Sequence, residues 1–163
     1  MKMISRRRVL AGAVALLGVG ASRPAEAGTQ AFGRIRVDVS AYRASAGSVS
    51  AARIAASLEG ALRRQFAGRV GVRNAPDLVV SIRSVRFASV SGGGAFGFGR
   101  GSGDSDEMDG EALIVRGNTV LGRHPQLLSQ DAAQGGPGLD IDGEGLRLAN
   151  LCNNYAAWLA RAL

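Results

Sequence analysis

Hydrophobic and polar residues alternate through residues 34–43: Ile35, Val37, Val39 and Ala41 fall on one side, Arg34, Arg36, Asp38 and Tyr42 on the other. A period of two sends successive side chains to opposite faces, so this stretch predicts a half-buried strand. Ser45 to Ser50 is turn-like and can cap a helix beginning there. The period then lengthens. Ile54, Leu58, Leu62 and Phe66 recur every four residues, with Ala51, Ala55 and Ala61 on the same side, which predicts a helix over 50–67. Arg63 and Arg64 suit the negative end of its dipole, and Gly68 is the expected stop. A short strand is expected over 69–73 and a turn at Asn74-Ala75-Pro76. Residues 77–90 carry the strongest strand signal. Leu78, Val80 and Ile82 share one face, whereas Val85 and Phe87 fall on the other phase, so a bulge or bend is predicted near Arg83-Ser84.

Eight glycines then crowd residues 91–110, which reads as a loop. Glu111–Arg116 and Thr119–Arg123 flank Gly117-Asn118, a hairpin signal. Residues 125–138 read as irregular. From near Gly145, Leu148, Leu151, Cys152, Tyr155, Trp158, Leu159 and Ala162 form one apolar stripe at helical spacing, with Asp142 and Glu144 at its positive end. The expected architecture is a single small α+β domain of order β-α-β-β-β-β-α. Its sheet is mostly antiparallel, with two helices packed on one face, the simplest way to bury both stripes.

Charge refines this picture. The chain has 163 residues, 20 basic and 13 acidic, for a net +7, which taken whole suits nucleic acid or a membrane surface. Residues 1–27, however, hold Lys2, Arg6, Arg7, Arg8 and Arg23 against Glu26 alone, and residues 28–163 are left with only +3. Nucleic acid is not an expected partner at that charge. The remaining 136 residues make one domain able to bury a core without metals or disulfides. The lone Cys152 excludes an intrachain disulfide and a cysteine-based zinc site.

The basic segment reads Ser5-Arg6-Arg7-Arg8-Val9-Leu10-Ala11, followed by apolar residues to Ala21. This stretch is shorter than the roughly 20 residues that span a bilayer. Arg23-Pro24 ends it, and Ala25-Glu26-Ala27 is a small-x-small cleavage site that would leave Gly28 as the mature start. The segment resembles a bacterial twin-arginine (Tat) signal peptide. Ser5, Arg6, Arg7 and Leu10 match that pattern, while Val9 stands in place of the usual Phe and Ala11 in place of the usual Lys. The resemblance implies recognition by the Tat translocase through Arg6, Arg7 and Leu10, export of the folded chain, and a periplasmic location after cleavage. An ordinary secretory (Sec) signal is the alternative. No Cys lies near the cleavage site, so no lipoprotein anchor is expected, and residues 28–163 hold no candidate transmembrane anchor. The order of elements is similar to small envelope domains such as the N-terminal domain of TolB and penicillin-binding-protein activator lipoproteins. That similarity implies a binding or accessory role; the missing lipid anchor departs from it.

Candidate chemistry is sparse. The glycine-rich run 92–101 lacks the Gly-Lys-Ser/Thr of a Walker loop and does not join a strand to a helix, so nucleotide binding fails on context. Phe96 and Phe98, with Arg100 beside them, are instead candidate partner-binding residues; folding back onto the sheet is the alternative. Asp104, Asp106, Glu107, Asp109 and Glu111 are candidate ligands for Ca²⁺, which takes several carboxylate oxygens. Asp140, Asp142, Glu144 and Gly145 resemble the opening of an EF-hand loop, but Leu151 stands where its bidentate Glu belongs, so an acidic helix cap is the simpler reading. His124 and Cys152 assemble no nucleophile, base and orienter by spacing, and no cofactor motif is present. Arg34, Arg36, Arg83 and Arg86 fall on strands and can form a positive strip facing anionic envelope components; a merely solvated face opposite the helices is the alternative. The expected function is therefore an exported, non-catalytic envelope accessory protein that contacts an envelope protein or anionic component through the glycine-rich loop or the sheet face. The alternative is a periplasmic ligand- or calcium-binding protein using the acidic segments 104–111 and 140–144.

Overall fold

A computed structural model of the protein describes residues 30–88, 105–131 and 141–163. They form β1 (Ile35–Asp38), α1 (Ser40–Ala46), α2 (Ser48–Gln65), β2 (Asp77–Arg86), β3 (Ser105–Arg116), β4 (Thr119–Asp131) and α3 (Ile141–Ala162). The architecture is α+β: one four-stranded sheet in the order β1-β2-β3-β4, with α2 and α3 sharing its core. β1 runs parallel to β2, and the other two junctions are antiparallel. A parallel pair needs a long crossover, which α1 and α2 supply.

The expected first strand is cut short. Asp38 Oδ1 accepts the Ser40 backbone N–H at 2.9 Å and the Ser40 hydroxyl at 2.6 Å. This local bonding turns the chain into α1, so Ala41 and Tyr42 are helical rather than extended. Ser45 to Ser50 is likewise not one turn: Gly47, at φ 84°, is the single non-helical residue between α1 and α2. In α2 the four-residue spacing works as expected, with Ile54, Leu58 and Leu62 buried and Phe66 just beyond the helix end. Each such burial contributes about 1.5–3 kcal/mol. The strand expected over 69–73 reduces to one bridge between Val70 and Phe32. Asn74, at φ 63°, makes the turn before β2, and the ladder slips between Ile82 and Ser84, where the hydrophobic phase changes.

Two strands are longer than the hydrophobic pattern predicts. β3 begins at Ser105, so 105–110 is strand rather than loop, and β4 continues through Pro125 to Asp131. Proline fits there because β4 is the edge strand. At the hairpin tip Gly117 takes φ 59° while Asn118 does not enter the left-handed region, the pattern of a II′ turn.

The core joins Phe32, Leu58, Leu62 and Phe66 to Leu78, Val80, Ile82, Met108, Leu151, Tyr155 and Leu159. Phe32 and Phe66 meet edge to face at 5.6 Å, and the Arg69 guanidinium lies 4.7 Å from the Phe66 ring centre. Arg69 also donates to Gln30 O at 3.0 Å and Ala160 O at 3.1 Å, tying the first described segment to the end of α3. Arg64 of α2 bonds Asn153 of α3 at 2.8 Å. Along α3 the expected stripe is buried through Leu148, Leu151, Cys152, Tyr155 and Leu159. Trp158 departs from it at 57% exposure, and Ala162 is exposed too.

Candidate functional site

β4 reaches past the cover of the helices. Cross-strand partners share a face, and Gln130, Leu128 and His124 pair with Asp106, Met108 and Ala112, all fully buried on the core side. The even-numbered residues of β4 therefore face the helix layer. Only Gln130 among them is buried; His124, Gln126 and Leu128 are half-buried. Gln126 donates to Tyr155 O at 2.9 Å and Asn154 donates to Gln130 Oε1 at 2.8 Å, which fixes α3 against β4 at these points. Beside them lies an open, mainly apolar groove of about 330 Å³, bounded by His124, Gln126, Leu127, Leu128, Ser129 and Trp158, with Ala162 at its end. The Arg161 guanidinium stacks over the Trp158 ring, 4.4 Å from its centre. Leu127 is 68% exposed on the rim. A large indole left outside the core beside such a groove is the strongest sign of a binding face among the described residues.

A smaller depression of about 90 Å³ lies among Tyr42, Ser50, Arg53, Phe87, Glu144 and Leu148. Beside it a buried ion pair joins β3 to α3. Arg147 donates through Nε to Asp106 Oδ2 at 3.0 Å, through Nη2 to Asp106 Oδ1, and through Nη2 to Ala88 O at 3.0 Å. Asp106 Oδ1 also accepts the Ala88 N–H at 3.0 Å, and Arg147 lies 5.4 Å from the Phe87 ring centre.

The acidic cluster and the strand arginines are two halves of one arrangement. On the outer face of the sheet, Arg83 holds Asp109 through bonds of 2.9 and 2.6 Å, Arg86 pairs with Glu107, and Arg123 reaches Glu111 at 3.3 Å. Arg34 and Arg36 flank Asp77 at 3.3 and 3.6 Å. The arginines of the expected positive strip are thus paired with acids strand against strand, Arg34 and Arg36 sharing the single carboxylate of Asp77. In 106–111 the candidate calcium ligands are engaged elsewhere: Asp106 points inward onto Arg147, and Asp109 is held by Arg83, whose hydrogen bond pulls its carboxyl below the usual range. Among the described residues no three His, Cys, Asp or Glu side chains converge to hold a metal. Glu144 is exposed on the first turns of α3, and Asp142 lies in the first turn. Arg6, Arg7, Leu10, Ala25, Ala27, Phe96, Phe98, Arg100, Asp104 and Asp140 lie outside the described residues.

Cys152 is buried in the core, and burial pushes its thiol up to about 11. His124 stands on β4 in the groove wall. Tyr155 is fully buried, burial pushes its phenol well above its ordinary value, and its hydroxyl has no hydrogen-bond partner among the described residues. Gly110 makes room for it: a methyl group there would meet Ser81 O at 2.6 Å and the Tyr155 hydroxyl at 2.8 Å. The groove is not among the sites that sequence reasoning predicts. Its one signal there is the half-polar inward set His124, Gln126 and Gln130, which marks a strand face that no helix fully covers.

No protein-family model, curated protein or solved structure matches the chain.

Proposed function

We propose that this chain is an exported, non-catalytic accessory domain of the bacterial envelope, and that it binds its partner through the groove between β4 and α3. The observation that carries the reading is Trp158, 57% exposed and stacked by Arg161 over an apolar groove of about 330 Å³. Ordinary solvent-facing positions do not need an indole, whereas binding centres are enriched in Trp and Arg. The non-catalytic part is supported by the thiol: Cys152 is sequestered in the core, where burial raises its thiol to about 11 and keeps it from the thiolate form a nucleophile needs. Export is supported by Ser5, Arg6, Arg7 and Leu10 and by Ala25-Glu26-Ala27. On this reading the domain works in the periplasm, and Phe96, Phe98 and Arg100 supply a second contact.

The export half is tested by replacing Arg6 and Arg7 with Lys and tracking the cleaved product in periplasmic fractions. Loss of export is expected; undiminished export refutes recognition by the Tat translocase. The binding half is tested by partner capture that depends on Trp158.

A further inference from the structure

The groove has a wall that side chains alone do not explain. It is bounded by Gln126, Leu127, Leu128 and Ser129 in succession. Consecutive strand residues point to opposite faces, so a groove touching all four runs along the main-chain edge of the strand. That edge is the unpaired one among the described residues, where β4 is bonded only to β3. Pro125 indicates which groups it presents. A proline is accommodated in an edge strand where its missing N–H would face away from the ladder. Leu127 and Ser129 share its parity, so their N–H and C=O groups face outward, beside the apolar floor of Leu128 and Trp158. At the rim, Arg161 is exposed, donates only to Ala157 O at 3.3 Å, and has no carboxylate partner among the described residues. Arg123, one strand position away from the groove, is already matched to Glu111.

We infer that the occupant of this groove is an extended peptide segment of a partner protein, added as a fifth strand on β4, with an apolar or aromatic side chain against Trp158 and a carboxylate on Arg161. The inference rests on the groove being the binding face. Main-chain bonds to Leu127 and Ser129 supply affinity, the pocket selects the side chain, and the guanidinium selects the acid. The carboxylate comes either from the peptide's C-terminus or from an Asp or Glu beside the anchor.

The test uses labelled peptides Ser-Thr-Val-Thr-Val-Phe as free acid, as C-terminal amide, and as an amide extended by Asp after the Phe, with binding read by fluorescence anisotropy. The free acid or the Asp peptide is expected to bind about tenfold more tightly than the plain amide, which is the scale of one charge-assisted contact. Whichever acidic peptide shows the gain identifies the carboxylate source. Arg161→Gln should erase the difference, Trp158→Ala should remove binding of every peptide, and N-methylation of alternate peptide amides should abolish it. Equal binding of acid and amide, or indifference to N-methylation, overturns the inference. Self-association of the protein that Leu128→Arg dissolves also overturns it, because the groove is then an interface between two copies. If no peptide binds while Trp158→Ala still abolishes partner capture in the envelope, this inference fails and the proposed function stands.

Discussion

Asp106 and Arg147 form the most deeply buried ion pair among the described residues. The carboxylate is wholly buried and the guanidinium side chain is 6% exposed. Asp106→Ala removes both bonds from Arg147 to the carboxylate and leaves the cation, among the described residues, with Ala88 O and the Phe87 ring but no counter-charge; the Ala88 N–H loses its acceptor as well. Stranding one member of a buried pair costs about 3–5 kcal/mol, against a typical total stability of about 5–15 kcal/mol. With a urea slope of about 2 kcal/mol per molar, the midpoint should fall by roughly 2 M. Arg147→Met should cost a similar amount, since it strands the carboxylate instead. The double replacement Asp106→Leu with Arg147→Met removes both charges and should recover most of the loss, because apolar substitutes for a whole buried pair are often neutral. Urea denaturation monitored by circular dichroism, with the slope checked for constancy, measures all three. A single-variant shift below about 0.5 M, or a double variant no better than the singles, refutes the view that this pair clamps α3 to β3.

Three further perturbations have definite expected outcomes. Gly110→Ala drives a methyl to within 2.6 Å of Ser81 O and should cost about 1–3 kcal/mol by overpacking; adding Tyr155→Phe removes the hydroxyl at 2.8 Å and should restore part of it in thermal melts. Cys152, buried and with its thiol raised to about 11, should resist a disulfide-exchange reagent at pH 8 in the native protein and react at once in denaturant; fast native labelling contradicts its placement. Asp38 and Asp109 sit below the ordinary 3.8, through the Ser40 hydroxyl and the Arg83 guanidinium respectively. Depressed carboxyls stabilise the fold above their unfolded values and lose that contribution as pH falls through the folded ones, so stability should decline from near pH 4 downward, and Arg83→Gln should flatten the decline.

The elements whose burial is purely apolar are legible from spacing. Leu58 and Leu62 on α2, Leu151 and Leu159 on α3, and the phase slip in β2 all lie where the periodicities put them. The features that spacing does not reveal depend on partners far along the chain. β3 begins with Asp106 facing inward, a position that reads as loop until Arg147, 41 residues on, supplies its counter-charge. Three of the inward residues of β4 are polar, His124, Gln126 and Gln130, and the first two are only half covered by the helices; Pro125 reads as a break unless the strand is known to be an edge. α1 turns on Asp38 bonding Ser40, a two-residue device too small for any period to register. Trp158 falls on the helical stripe by spacing, yet it lies where α3 meets the overhanging strand, so the large residue that the periodicity misplaces is the one that marks the groove.

The groove between β4 and α3 is the proposed working surface of the domain. The most direct test places a photo-crosslinking amino acid at Ala162, on the groove, and in a second strain at Val49, which is 76% exposed on α2 and does not line it. Crosslinking in intact cells should give a discrete adduct from Ala162 that vanishes with Trp158→Ala while the melting temperature holds, and none from Val49. An adduct that survives Trp158→Ala, or that arises equally from both positions, contradicts the account.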